Sequence, residues 1–449
     1  MIARHDGDRV QAVIDRAVDP RVGIVHDLQA RAARPGAPRF FHYSAQLCNL
    51  AACGWQSNLT RMDGGAATPQ DARTSALFEA LRCYAAAFYA PHELELFSHA
   101  HAPHRSVPPA RFALFSEEQY AQEGFPFEPF TDSTPVRWVP ATSLGSGEQW
   151  YVPAAAALLP YVVRPGSEER SIQPSSPIGL ACACSPDEAM EAAICDVIKH
   201  DALALCWNGR LSPPQVRIET LTDENYALVE RFETIGRVTA LNITLDIDVP
   251  AFLLCLQCPA EEAPAMVFAA GCDPDPVRAF RFALDDLALV LRMCEDLPTA
   301  GGRRRVETDG GVTDRADRLA YWCASAHRVH AGFLFGSSER TEFDEVRAIE
   351  ADGARQRAHK LVARLRDAGL DVWFVDLTTS DLRDLGVSVV RAVVPGLQPL
   401  FGAPHAQALG GRRLEDVPAR LGLHPARRTA TTAPTAALPH PFLLKGIES

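Results

Sequence analysis

Three segments of the chain open a helix in the same way, and this recurrence constrains the fold more than any other feature. They are "TPQDARTSALFEALRCYAAAF" from Thr68, "SPDEAMEAAICDVIKHDALAL" from Ser185 and "DPVRAFRFALDDLALVL" from Asp275. Each begins with an N-cap residue and places Pro at the first helical position, where its missing N–H costs nothing. Thr68 with Asp71 and Ser185 with Glu188 have the spacing of a capping box. All three place Ala four residues past the cap (Ala72, Ala189, Ala279) and a carboxylate eleven past it (Glu79, Asp196, Asp286). Eleven residues is about three turns, so the late acid lies nearly over the cap; Glu188 and Asp196, a little over two turns apart, share one broad face. Three such helices packed together would converge their acids on one pocket. Gathered carboxylates repel unless cations neutralise them, and hard oxygen ligands suit Mg²⁺ bridging nucleotide phosphates. Any amphipathic helix also carries acids on its wet side, so spacing alone leaves that alternative open.

Around these segments, strand-like and helix-like stretches alternate. Strands are expected at "RFALF", "WYVPA", "ALNITLDI", "AFLLCLQ", "AMVFAAG", "DVWFVDL" and "VSVVRAVV", and helices near 69–89, 186–206, 276–294 and 351–368, with a short one in "RVQAVIDRAV". The mixture predicts an α+β (mixed α/β) fold, with helices packed on antiparallel or mixed sheets around a central pocket. Residues 1–40 form an N-terminal extension, 41–418 the main domain with subdomains inside it, and 419–449 a Pro-containing tail that stays extended unless something binds it.

The 47% apolar and 22% charged content of the 449 residues fits a well-packed globular chain. A net charge of -12, with Arg303-Arg304-Arg305 as the one short basic run, argues against nucleic acid as a partner. The 12 cysteines sit irregularly in apolar runs, and "MIARHDGDRV" has no signal-like apolar region; the expectation is a cytoplasmic protein with reduced, buried thiols and no membrane span. Cys255-x-x-Cys258 lacks the second pair a zinc site needs, and His99, His101 and His104 fall in a Pro-containing surface loop without a carboxylate.

These segments resemble the YcaO family, over nearly the whole chain from about residue 20. The Ser-x3-Glu signature is met by Ser75 and Glu79, and "GLA" before a capped helix by "IGLACACSPDEA". "VPAAAALLPY", "VDLTTSDLRDLGVSVVRAVVPGLQPLFG" and "PHPF" also match, the last two pointing to the azoline-forming, thiazole/oxazole-peptide branch. The resemblance implies an ATP- and Mg²⁺-dependent cyclodehydratase that converts Cys, Ser or Thr of a ribosomally made precursor peptide to azolines. Its implied sites are Glu79, Glu188 and Asp196 as metal ligands, Ser75 and Asp286 as further nucleotide-site residues, and Pro439, His440 and Pro441 as a tail reaching into the active site. Implied partners are the precursor peptide, an E1-like leader-peptide-binding protein (the first 40 residues being too short for that domain), a flavin dehydrogenase, and a second copy or hetero-complex.

The departures from the family pattern are as informative. Arg82-Cys83 stand where the family has Glu-Arg on the first helix, and Lys199-His200 where it has Glu-Arg on the second; Asp286 replaces Glu and Leu289 replaces Gln on the third. Two cations in place of two acids repel a metal ion. Arg82 and Lys199 either contact phosphate themselves or pair with Asp196 and Glu79. The second outcome makes the chain a pseudoenzyme that uses no ATP or Mg²⁺ and serves as a scaffold, regulatory or peptide-binding subunit of an azole synthetase.

Overall fold

The recurrent segments do form helices, at Pro69–Ala87, Pro186–Asn208 and Pro276–Glu295, hereafter the first, second and third helix. The computed structural model describes residues 7–50, 61–259, 264–297, 312, 314–402, 406–423, 425 and 439–442. Each cap accepts a backbone N–H on its side-chain oxygen: Asp71 N to Thr68 Oγ1 at 3.1 Å, Glu188 N to Ser185 Oγ at 3.3 Å and Val277 N to Asp275 Oδ1 at 2.9 Å. The reciprocal half of the expected capping boxes is not made. Asp71 instead receives the Thr68 hydroxyl at 2.7 Å, and Glu188 Oε2 is buried without a partner.

A strand leads into each of the three helices. β1 (Val25–Ala30), β2 (Phe41–Leu47) and β3 (Arg61–Ala66) form one antiparallel sheet in that order. β4 (Glu95–Phe97), β5 (Val136–Ser143), β6 (Gln149–Pro153), β7 (Leu180–Ala183), β13 (Trp373–Asp376) and β14 (Ser388–Val393) form a second, ordered β4-β5-β13-β14-β7 with β6 alongside β5. β8 (Gln215–Val216), β9 (Arg237–Asn242), β10 (Ala251–Gln257), β11 (Met266–Cys272) and β12 (Arg340–Thr341) form the third, ordered β11-β10-β9-β8-β12. The helices link the sheets cyclically. The first lies on β2 and β3 and touches β7; the second lies on β7 and β14 and touches β11; the third lies on β10 and β11 and touches β3. The three-fold echo in sequence is therefore a three-fold arrangement in space, an α+β fold as expected.

Close strand–helix approach explains the small residues of the repeat. A Cβ on Gly64, four residues before the Thr68 cap, would lie 2.3 Å from Ala76 N and 2.6 Å from Ala72 O. At the matching place before Asp275, a Cβ on Gly271 would lie 2.0 Å from Ala279 O and 2.7 Å from Ala283 N. Backbone approaches backbone here, and a larger residue would push the helix off its strand. The second unit carries Ala181 at this position.

Two strand expectations change. "RFALF" (111–115) is not a strand: Pro108-Pro109 just ahead start a short 3₁₀ turn, Pro109–Arg111, and the apolar side chains pack from a loop. "ALNITLDI" stays extended only to Asn242, because the Asn242 side-chain oxygen accepts Thr244 N–H at 3.0 Å and turns the chain. The helix Arg413–Leu421, with Pro418 inside it, spans the expected start of the tail. It is clamped to the second helix by Arg413, whose guanidinium donates to Asp201 at 2.9 and 2.6 Å and to Asp246 at 2.9 and 2.8 Å. Arg303 to Arg305 lie outside the described residues.

Candidate functional site

Charged residues from the middles of the three helices meet as a largely buried cluster. On the first helix Arg82 faces Glu79 one turn earlier and grips it with both prongs, Nε to Oε2 at 2.9 Å and Nη2 to Oε1 at 2.5 Å. Its third nitrogen, Nη1, donates to Leu180 O on β7 at 2.8 Å. Burial alone would lower the Arg82 pKa, but the Glu79 carboxylate more than offsets it and holds the guanidinium firmly protonated. Ser75, half-buried, lies one turn before Glu79. Burial pushes the neighbouring Cys83 thiol up to about 12, so it is not a nucleophile.

The second helix repeats the arrangement with different residues. Lys199 Nζ donates to Asp196 Oδ1 at 2.8 Å, and Gly179 N–H donates to Asp196 Oδ2, also at 2.8 Å. Burial works to raise the Asp196 pKa, yet Lys199, foremost of its neighbours, holds it far below the usual carboxylate range. Lys199 in turn stays raised although burial works to lower it, held by Asp196 and then by Asp286 from the third helix. His200 turns its Nδ1–H to Asp196 O at 2.7 Å; burial, then Lys199, lower its pKa to about 4 and keep the ring neutral.

The chain's end returns to this place. Pro439 O accepts Trp322 Nε1–H at 3.2 Å, and the buried His440 donates Nε2–H to Phe401 O at 3.0 Å. Pro441 is buried, and the Phe442 ring meets Trp207 of the second helix edge-on at 6.0 Å. Burial drives the His440 pKa well down, and His200 is among the groups acting on it. The segment Pro439–Phe442 thus packs against the second helix, with His440 within electrostatic range of His200.

Of the expected site residues, Glu79, Arg82, Asp196, Lys199, His200, Asp286 and His440 fall in one neighbourhood. Glu188 stands apart at the start of the second helix. Two residues beside the cluster were missed. Gly179 sits in the quoted "GLA" motif with φ +81, a conformation that aims its N–H at Asp196. Arg391 is a lone cation in the apolar strand "VVRAVV", and that incongruity was its sequence signal.

The donor set does not fit a Mg²⁺ ion as the side chains stand. Both Glu79 oxygens take Arg82, and both Asp196 oxygens take Lys199 and Gly179. Among the described residues no group of three or more His, Cys, Asp or Glu side chains is placed to hold a metal. That holds also for Cys255 and Cys258, free and buried, and for His99, His101 and His104; His104 stacks on Tyr151 and contacts Glu95 at 3.2 Å. No described helix is long and apolar enough to cross a membrane.

Comparison with known proteins places the chain by family and by fold. The family model described as YcaO cyclodehydratase, ATP- and Mg²⁺-binding, matches residues 63–398. An uncharacterised protein of Methanothermobacter thermautotrophicus is 27% identical over 59% of this chain and 66% of its own length. Among solved structures, a heterocyclase in complex with substrate and cofactor superposes with TM-score 0.77 and 22% identity, over 95% of this chain and 57% of the other. The YcaO protein of Methanopyrus kandleri bound with AMPPCP and Mg²⁺ gives 0.63 and 21%, over 87% and 90%. The microcin synthetase McbBCD complex of E. coli with pro-MccB17 bound gives 0.61 and 12%, over 93% and 96%. At these identities the structures share the fold. The chain spans just under two thirds of the curated relative and little over half of the heterocyclase chain.

Proposed function

The chain belongs to the YcaO family, and from that premise we propose that it serves the modification of a ribosomally made precursor peptide as a component whose Mg-ATP site has been closed by internal ion pairs. It works as a peptide-binding or regulatory subunit beside an active partner. The reading rests on one observation: Arg82 on Glu79 and Lys199 on Asp196, each cation one turn after the acid it neutralises. Two unit charges about 4 Å apart interact by roughly 4 kcal/mol at an effective dielectric constant near 20, and a divalent ion doubles that. A Mg²⁺ at Asp196 would have to displace or endure Lys199, and at Glu79 it would meet Arg82. Phosphoryl transfer that relies on metal ions placed against phosphate oxygens loses its main source of charge stabilisation.

The peptide side of the reading is supported by the segment Pro439–Phe442, which packs beside the charged cluster with Phe442 against Trp207 of the second helix. A precursor peptide, an E1-like leader-binding protein, a flavin dehydrogenase and a cytoplasmic setting belong to the same proposal. A second reading keeps the cyclodehydratase activity, with Arg82 and Lys199 meeting phosphate directly. It is favoured by Glu188 Oε2, a buried carboxylate oxygen still without a partner.

Titration with Mg-ATP followed by calorimetry and thermal shift separates the two. The expected result is no shift at millimolar Mg-ATP for the natural sequence, and a gain in the variant carrying Arg82→Glu, Cys83→Arg, Lys199→Glu and His200→Arg. Mg²⁺-dependent ATP binding by the natural sequence would overturn the closed-site reading. Binding of ATP without Mg²⁺, with precursor-dependent ADP release, would establish the second.

A further inference from the structure

Arg391 is a buried cation to which neither reading gives work. It is 3% exposed, in the middle of β14, and its guanidinium rests on two main-chain carbonyls: Nε donates to Ala156 O at 3.1 Å and Nη2 to Ser176 O at 2.5 Å. Nη1 has no hydrogen-bond partner, and no carboxylate of the described residues pairs with the group. Its pKa falls to about 9: burial dominates, Arg82 adds to it, and Asp196 only partly offsets them. A guanidinium taken out of water without a counter-ion is costly, and proteins keep such groups where an anion comes to them.

Arg391, Ala156 and Ser176 all line a cavity of about 110 Å³. The other walls are mainly apolar, including Phe112, Leu114, Val197, Leu397 and Phe401. His200, neutral, forms part of the wall, and Phe401 also carries the carbonyl that anchors His440. The volume is somewhat smaller than the roughly 150 Å³ cavity that admits benzene, and it exceeds the share of three waters at about 30 Å³ each. One fixed cation in an apolar chamber of this size selects a short aliphatic body ending in an anion. A planar carboxylate matches the fork geometry of a guanidinium.

We propose that this cavity is a binding site for a short-chain carboxylate, its carboxylate group received by Arg391 and its aliphatic body by the apolar walls. The site stands on the cavity and Arg391 alone, independent of whether the ion-paired pocket takes ATP.

Isobutyrate and its neutral isostere isobutyramide are the probes, read by saturation-transfer NMR and by thermal shift at matched ionic strength. Isobutyrate is expected to receive saturation and raise the midpoint, with isobutyramide at least tenfold weaker. Arg391→Met should abolish the discrimination between the two. Because removing this arginine can disturb β14, Ala156→Leu supplies an independent arm. It fills the chamber, leaves the guanidinium in place, and should abolish binding of both probes. Equal binding of amide and carboxylate, undiminished binding by Ala156→Leu, or no binding of isobutyrate to the natural sequence would each overturn the proposal.

Discussion

Asp196 and Asp201 lie five residues apart on the second helix, and each meets a cation, but the two pairs do different things. Asp196 is held by Lys199 of its own helix, three residues on, with side chains 14% and 11% exposed. Asp201, 2% exposed, is held by Arg413 from 212 residues away, and Arg413 also holds Asp246. A pair within one helix joins nothing the backbone has not already joined, so it contributes little to the fold while changing what the site can hold. A pair between distant segments fixes how those segments dock. Chemically similar ion pairs thus separate into one that tailors a pocket and one that fastens the structure.

The largest effect should come from the fastening pair. Arg413→Met leaves the buried Asp201 without its cation, Asp246 keeping Arg420, and is expected to cost about 3–5 kcal/mol, the range for removing one partner of a buried pair. Denaturant unfolding measures it, and limited proteolysis should show the helix Arg413–Leu421 opening first. A loss under about 1 kcal/mol would mean that Asp201 finds another partner and that the contrast drawn above is false.

The same contrast explains what the sequence made legible. The three helices were readable because their signals are local: cap, Pro and small residues at fixed spacing. Internal ion pairing of Arg82 and Lys199 was readable as one of two outcomes, but with Asp196 and Glu79 as their respective partners; the structure instead pairs each cation with the acid three residues earlier on its own helix, where that spacing places side chains together. Arg413 with Asp201 was not readable, since nothing in the sequence joins positions so far apart. The reciprocal capping boxes failed for a related reason. Spacing permits the second hydrogen bond but does not require it: Asp71 takes the Thr68 hydroxyl, and Glu188 Oε2 lies buried without a partner. "RFALF" carried strand-like residues, and two prolines ahead of it set a turn that composition alone did not reveal.

Asp285 stands between the two cases and offers an intermediate effect. It has a cation on its own helix, Arg281 at 3.3 Å, yet it also accepts Ala67 N–H at 2.8 Å and so ties the third helix to the entry of the first. Burial, against the opposing pull of Arg281, raises its pKa from 3.8 to about 7. Between those values the folded chain keeps a proton that the unfolded chain releases, so this group's contribution to stability falls as pH rises from about 4 to about 7 and is level above. Asp285→Asn removes that slope. Relative to the variant, the natural sequence should lose of the order of 2 kcal/mol between pH 5 and pH 8, read from paired unfolding curves. Parallel curves would place Asp285 with the merely local pairs.

The smallest cost in stability, and the most telling change in the site, should follow Lys199→Met. Asp196 keeps Gly179 N–H, and the methionine fills the space of the lysine stem, so a loss of about 1 kcal/mol is expected. The consequence falls on His200, whose pKa is near 4 because of burial and, next, Lys199. With the ammonium gone, Asp196 acts on the ring unopposed and its titration should move upward, followed by the His200 ring protons in NMR spectra. The sign also appears in stability. A histidine depressed below its ordinary 6.5 makes the natural chain lose stability as pH falls from about 6.5 toward 4, and the variant should lose less over that interval. An unmoved His200 titration, or a loss as large as that of Arg413→Met, would show that Lys199 fastens the fold after all. The two carboxylates of the second helix would then be alike in role as well as in chemistry.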